Sequence, residues 1–222
     1  MILYCENLIE KNVFYCFMML YFVLLHLEIF QIFLMNQKII IFSAPSGSGK
    51  TTILKELIQS DLPLAFSISA TSRKQRSDEI NGKDYYFLTP EQFKEKIEQD
   101  AFLEWQEVYE NQFYGTLKSE ITRLFSLNKN VVFDVDVLGG LNIKRYYGEQ
   151  ALAMFIMPPS LDVLRQRLIT RGTETQESLE KRLQKAEYEI SFAKEFDVVL
   201  INDKLKQSID SSYQIISDFF IL

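Results

Sequence analysis

From Met35 to its end the chain contains no cysteine and no histidine; both cysteines, Cys5 and Cys16, and the single histidine, His26, fall in the first 35 residues. That absence excludes a disulfide framework, a Cys/His zinc site and any histidine-dependent catalytic triad in the body of the protein. Positive charge is also scarce: 24 Lys and Arg stand against 30 Asp and Glu, a net charge of −6. A general nucleic-acid binder carries a basic excess, so a polyanion is not an expected partner, although local arginines can still hold a small phosphate. What remains for chemistry is carboxylates, Lys, Arg, hydroxyls, backbone groups and a hard metal ion. Repeats, low-complexity tracts and linkers are absent, and 222 residues suffice for one α/β domain with a sizeable core.

The one long apolar run lies in residues 13–35, "VFYCFMMLYFVLLHLEIFQIFLM". Its length suits a membrane-spanning helix. Glu28 near its centre opposes insertion by about 2.5–3.5 kcal/mol. The flank carries Glu6 and Glu10 and no positive n-region, and no small-residue cleavage site follows. Residues 1–34 are therefore read as an apolar extension produced from an upstream start, with synthesis beginning at Met35. A membrane anchor and an extra packing helix are the alternatives. Residues 35–222 are expected to form the functional domain, in the cytoplasm and without membrane attachment.

In that domain "KIIIFS" reads as a buried parallel strand, and "TTILKELIQS" as a helix with Ile53, Leu54, Leu57 and Ile58 at helical spacing. "LAFSISA" reads as a second strand. Charges, glycines and aromatics crowd together from Thr71 to Gly115, which reads as a small mixed insertion. Leu117 to Leu127 is expected to be helical. "VVFDVDV" and "ALAMFIMPP" are further strands, "SLDVLRQRLITRG" a helix up to Gly172, "SLEKRLQKAEYEISFAKEF" a second helix, "DVVLIND" a last strand and "LKQSIDSSYQIISDFFI" a closing helix. Alternation of this kind implies a doubly wound parallel sheet.

Between the first strand and first helix stands "APSGSGKT", the Walker A pattern with Ala44 in place of its first glycine. Ala44, Pro45, Ser46, Gly47, Ser48, Gly49, Lys50 and Thr51 would form the ATP-phosphate cradle. Gly47 and Gly49 would let backbone N–H groups turn inward, the helix N-terminus would add its positive end, Lys50 would reach the β- and γ-phosphates, and the Thr51 hydroxyl would hold Mg²⁺. The loop names a donor, not an acceptor. Arg73 and Arg76, three apart, with Ser69 before and Tyr85 after, fit a phosphate pocket, but the same pattern also fits a solvated basic turn.

The stretches "SAPSGSGKTT", "SRKQRSDEINGKDYYF", "AFLEWQEVYENQFYGT", "VVFDVDVLGG", "RLITRGTETQESLEKRL" and "VVLIND", in this order and spacing from Lys38 to Asp203, resemble the guanylate kinase family. The resemblance implies a P-loop α/β core, a small mixed α/β monophosphate-binding insertion over about 69–118, a helical lid over about 167–186, and transfer of a phosphoryl group from ATP, with Mg²⁺, to GMP, with dGMP as a candidate second acceptor. It implies that Ser69, Arg73, Arg76, Tyr85 and Tyr114 hold the GMP phosphate. Glu104 and Thr116, with Asp136 nearby, would read guanine, and Arg167, Arg171 and Arg182 would close from the lid side. Lys50, Arg73 and the three lid arginines are the expected catalytic set. A carboxylate suits guanine, whose N1–H and N2 amino group are adjacent donors; adenine has no donor at that position. Asp134 and Asp136 end a buried strand near metal or nucleotide, with capping of the turn at Gly139 and Gly140 as the structural alternative. One residue departs from the family pattern: Gln75 stands where a proline usually precedes the second arginine, and a looser loop with a modest effect on GMP affinity is expected. Another P-loop small-molecule kinase and a non-catalytic interaction module of the same fold are the competing readings.

Overall fold

The triplet Ile39–Ile41 with Phe42 and Ser43 is buried along its whole length, as expected for a β-branched run with helices on both sides. This strand, β1 (Ile39–Ser43), is the centre of a five-stranded sheet in a computed structural model that describes residues 37–170 and 176–221. In chain order the described elements are β1, α1 (Lys50–Gln59), β2 (Leu64–Phe66), β3 (Ala70–Thr71), β4 (Tyr86–Phe87), α2 (Pro90–Glu98), β5 (Phe102–Tyr109), β6 (Gln112–Leu117), α3 (Lys118–Ser126), β7 (Asn130–Asp134), α4 (Val137–Tyr147), β8 (Ala151–Met157), α5 (Leu161–Thr170), α6 (Gln176–Ser191), β9 (Val198–Ile201) and α7 (Leu205–Ile221). Arg171 and residues 1–34 lie outside the described residues. Among the described residues, no helix is long and apolar enough to cross a membrane.

The main sheet runs β2-β7-β1-β8-β9 and all its pairings are parallel. Period-two alternation divides its side chains between two cores. Ile39, Ile41, Val131, Phe133 and Phe155 pack with Leu141 and Ile143 of α4 and Leu124 of α3. Ile40, Phe42, Val132, Met154 and Ile156 pack on the other face with Ile53, Leu54 and Leu57 of α1 and Ile216 of α7. Burying each such side chain contributes about 1.5–3 kcal/mol. The carboxyl ends of β1, β7 and β9 therefore converge on one rigid edge, where α/β sheets place their ligands.

A second, four-stranded sheet has the order β4-β3-β6-β5, with β3 and β4 parallel and the other pairs antiparallel. It closes on Phe93 of α2, which stacks at 4.3 Å on Phe102 and 5.3 Å on Phe113. "LAFSISA" is not one strand. Phe66 pairs with Val132, Ser67 gives its N–H to the Val132 carbonyl, and by Ala70 the chain has joined the second sheet. The break at residues 67–69 is the passage from one sheet to the other. Helices α5 and α6 form a hairpin around Leu164, Leu168, Leu179 and Leu183, tied on its outside by the Arg165–Glu180 ion pair.

Candidate active site

The turn after β1 is held by backbone geometry. Gly47 and Gly49 have φ of 95° and 93°, values that L side chains rarely adopt. A Cβ on Gly49 would sit 2.3 Å from the Asn202 amide nitrogen. The Asn202 side-chain amide donates to the Ser48 carbonyl at 2.7 Å, and the Asn202 backbone carbonyl accepts from Arg167 Nη2 at 2.8 Å. Ser48 and Ala44 are buried, Ser46 is exposed, and Gly49 leads directly into α1 at Lys50. Lys50 Nζ lies 2.5 Å from Asp134 Oδ1 and donates to the Val135 carbonyl at 3.2 Å. A cavity of about 320 Å³ opens over the loop, bordered by Lys50, Thr51, Asp134, Asp136 and Glu189. Arg182 of α6 reaches its rim, donating to Ser46 Oγ at 2.9 Å.

A second cavity, of about 310 Å³, lies between the two sheets and is lined by Ser69, Tyr85, Glu104, Tyr114 and Asp136. Asp134, Val135 and Asp136 border both cavities, so the two meet at the end of β7. Glu104 and Thr116 face each other across β5 and β6, and the Thr116 hydroxyl, fully buried, donates to Glu104 Oε1 at 2.8 Å. Burial pushes the Glu104 carboxyl above the usual carboxylate range; the Thr116 bond opposes that, and the neighbouring Asp136 charge reinforces it. Asp136 Oδ1 caps α4 by accepting from Gly139 N at 2.8 Å, which makes the capping alternative real without removing the residue from the cavity. Its other oxygen accepts from Gln106 Nε2 across the cleft at 3.2 Å.

The arginines are placed unequally. The Arg73 guanidinium sits 5.0 Å over the Tyr85 ring and forms a bidentate pair with Glu79 of its own loop. Hydrogen bonding to Glu79 raises the guanidinium further out of titration range, while Arg73 holds the Glu79 carboxyl down at about 2. The Arg76 side chain is exposed and does not line the cavity, although its backbone N–H donates to Glu79 Oε2 at 2.9 Å. Gln75, the departure from the family pattern, donates its side-chain amide to the Glu79 carbonyl and so closes the loop by another means. Arg167 borders a third cavity of about 650 Å³ with Gly47, Gly49, Asn202 and Asp203.

Beside Glu79, three further residues at the site were not anticipated. Asn202 carries a visible signal, a polar residue directly after an apolar strand at the sheet's carboxyl edge. Glu189 is 6% exposed and continues the α6 stripe of Leu179, Leu183 and Ala186, so a carboxylate at an apolar position marked it. Burial raises its carboxyl, against the pull of Lys185 and Lys50. Gln106 carries no signal, because strand alternation does not say what faces a cleft.

The family model for guanylate kinase matches residues 36–219. The chain belongs to the guanylate kinase family. Curated guanylate kinases from Bacteroides fragilis and Bacteroides thetaiotaomicron are 55% and 52% identical to it over 182 and 190 residues; the alignments cover 82% and 86% of this chain and 89% and 93% of theirs. A crystal structure of guanylate kinase from Anaplasma phagocytophilum superposes with a TM-score of 0.63 at 26% identity, covering 82% of this chain and 85% of that one. The expected doubly wound P-loop fold is thereby met, and the protein is a guanylate kinase-family phosphotransferase that phosphorylates GMP at the expense of ATP.

Proposed function

We propose that ATP phosphates occupy the cavity over residues 44–51 and that GMP occupies the cavity between the two sheets, giving ADP and GDP by direct transfer where the cavities meet. The observation that carries this reading is the shared wall at Asp134–Asp136, which brings a lysine-tipped phosphate turn and a carboxylate–threonine pair to one cleft. Residues 69–118 serve as the acceptor domain and 167–186 as the lid.

Phosphoryl transfer between anions needs charge neutralisation and alignment more than acid–base help. Lys50 exchanges Asp134 for the transferring phosphate, and Arg182, already at Ser46, and Arg167 neutralise charge from the lid side. Arg171 belongs to the same arginine set by sequence. Ser69, Tyr85, Tyr114 and Arg73 hold the acceptor phosphate, with Arg73 released from Glu79, and Arg76 turns in from the surface. Glu104, oriented by Thr116, accepts from guanine N1–H and the N2 amino group, with the free lone pairs of Asp136 beside it.

Magnesium fits this donor set. Thr51 is exposed into the cavity beside Asp134 and Asp136, all hard oxygen donors. Among the described residues, no group of three or more metal-ligating side chains forms a cage. Such a site would hold the ion jointly with substrate phosphates, where it would supply charge neutralisation. A cytoplasmic location accords with nucleotide substrates.

ADP release measured with GMP, dGMP, AMP, CMP and UMP tests the acceptor reading. Turnover with GMP at least 100-fold above AMP is expected, since adenine leaves the buried carboxylate without a donor. Equal use of AMP and GMP overturns it.

A further inference from the structure

Glu120, in the first turn of α3, is a charged side chain only 2% exposed, and the chemistry above makes no use of it. Its carboxylate accepts four hydrogen bonds. Ile68 N donates to Oε1 at 3.2 Å, the Tyr86 hydroxyl to Oε2 at 2.8 Å, and Arg123 Nε and Nη2 to the two oxygens at 2.8 and 2.9 Å. Burial works to raise this carboxyl, yet the Arg123, Tyr86 and Ile68 bonds hold it below its ordinary value, so it is ionised in the folded protein. A buried anion is tolerated only when it is paired and fully hydrogen-bonded, and here each partner comes from a different segment.

Those segments are the seam between the two sheets. The chain enters the second sheet through residues 67–69 and leaves it at Leu117, immediately before α3. Ser67 N still bonds the core strand at Val132, while the Ser69 carbonyl already accepts from Tyr86 N in the second sheet. Ile68, between them, gives its N–H to Glu120. The carboxylate thus fastens the incoming crossing to the outgoing one. It also sits one residue from two walls of the acceptor cavity: Ile68 precedes Ser69, and Tyr86 follows Tyr85. A backbone amide that lost its acceptor at a two-sheet crossing would be free to rotate, and Ser69 would rotate with it.

We infer that Glu120 is a positioning residue for the acceptor nucleotide: it sets the angle of the second sheet on the core and holds Ser69 and Tyr85 where the GMP phosphate meets them. This inference rests on the assignment of that cavity to GMP. It assigns no contact between Glu120 and substrate, and it requires the donor turn, built on β1 and α1, to be indifferent to the residue.

The test compares wild type with Glu120→Gln and Tyr86→Phe in the full chain. GMP binding is read from the fluorescence of Trp105, the chain's only tryptophan, which neighbours Glu104 in β5. Binding of a non-hydrolysable ATP analogue is read by calorimetry. Wild-type GMP binding checks the cavity assignment by itself; the ratio of variant to wild type checks Glu120. Loss of charge-assisted bonds at the seam is expected to weaken GMP binding about tenfold in Glu120→Gln and about threefold in Tyr86→Phe, with the ATP analogue within about twofold of wild type in both. GMP affinity within twofold of wild type in Glu120→Gln, or equal losses for both nucleotides, overturns the inference. Should Glu120→Gln fail to fold, Tyr86→Phe decides alone: a selective loss for GMP supports the role, and unchanged GMP affinity removes it.

Discussion

The proposed donor turn and acceptor cavity are shaped by opposite means. At the donor turn the shape is fixed by backbone: two glycines at positive φ, a helix start, and Asn202 bonding the Ser48 carbonyl. At the acceptor cavity the shape is fixed by polar side chains that hold one another, Arg73 by Glu79 and Asp136 by Gln106. On the proposed assignment, the first site would be ready for phosphates once Lys50 leaves Asp134. The second would have to break its own ion pair before Arg73 could serve. Backbone pre-organisation lowers the cost of binding, whereas a self-paired cation makes binding conditional on an exchange that an unwanted anion completes less well.

Removing the lysine charge of the rigid site should have the largest effect. Lys50→Ala is expected to lower kcat by on the order of 10³ with the fold retained, since a positioned cation acts on charge that develops only in the transition state. Steady-state turnover with circular dichroism as the folding control checks this; near-normal rates would break the contrast at its strong end. On the side-chain-built site, Glu104→Ala should lower kcat/KM for GMP about 100-fold and leave the ATP KM unchanged. The same residue gives a pH prediction. Its carboxyl is raised by burial, so the neutral form is favoured by folding and ionisation at neutral pH costs stability. Lowering the pH through the raised value should therefore stabilise the ligand-free protein at this position while the GMP KM climbs. Glu104→Gln should flatten that dependence and raise Tm by on the order of 2–4 °C, and a lowered Tm would contradict the sign.

Gly49→Ala probes the rigid site through its backbone. The new methyl meets the Asn202 amide, and alanine at φ 93° is strained by about 1–2 kcal/mol, which corresponds to roughly a tenfold rise in the ATP KM. Thermal unfolding and ATP titration should both register it, while the GMP KM holds.

This same contrast governs what could be read from the sequence. The donor turn was legible because a backbone-built site needs particular residues at fixed spacing: glycine where φ is positive, lysine at the helix start, a β-branched strand before it. The main sheet was legible for a similar reason, since IIIF and VVF are apolar at every position. Side-chain pairing leaves no such spacing. Glu79 and Gln106 reach Arg73 and Asp136 only after the loop and the second sheet have formed, and the crossing at residues 67–69 looked like continuous strand because alternation does not register a change of sheet. The arginine pair illustrates both halves: its presence was evident, but Arg73 is tucked against Tyr85 while Arg76 stays in solvent.

Gln75 provides the gentlest probe. A proline before Arg76 would fix φ and remove unfolded-chain entropy, worth about 0.4–1 kcal/mol where the geometry is compatible. Gln75 instead spends a side-chain hydrogen bond on the Glu79 carbonyl, which draws the ends of the same loop together. A net hydrogen bond of this kind is worth about 0.5–1.5 kcal/mol, so the two solutions nearly offset. Gln75→Pro should accordingly change the GMP KM by less than about threefold and leave ATP kinetics untouched. A tenfold or larger gain in GMP affinity would mean that loop order, and not the Arg73–Glu79 exchange, limits acceptor binding, and the contrast between the two sites would then reduce to one of flexibility.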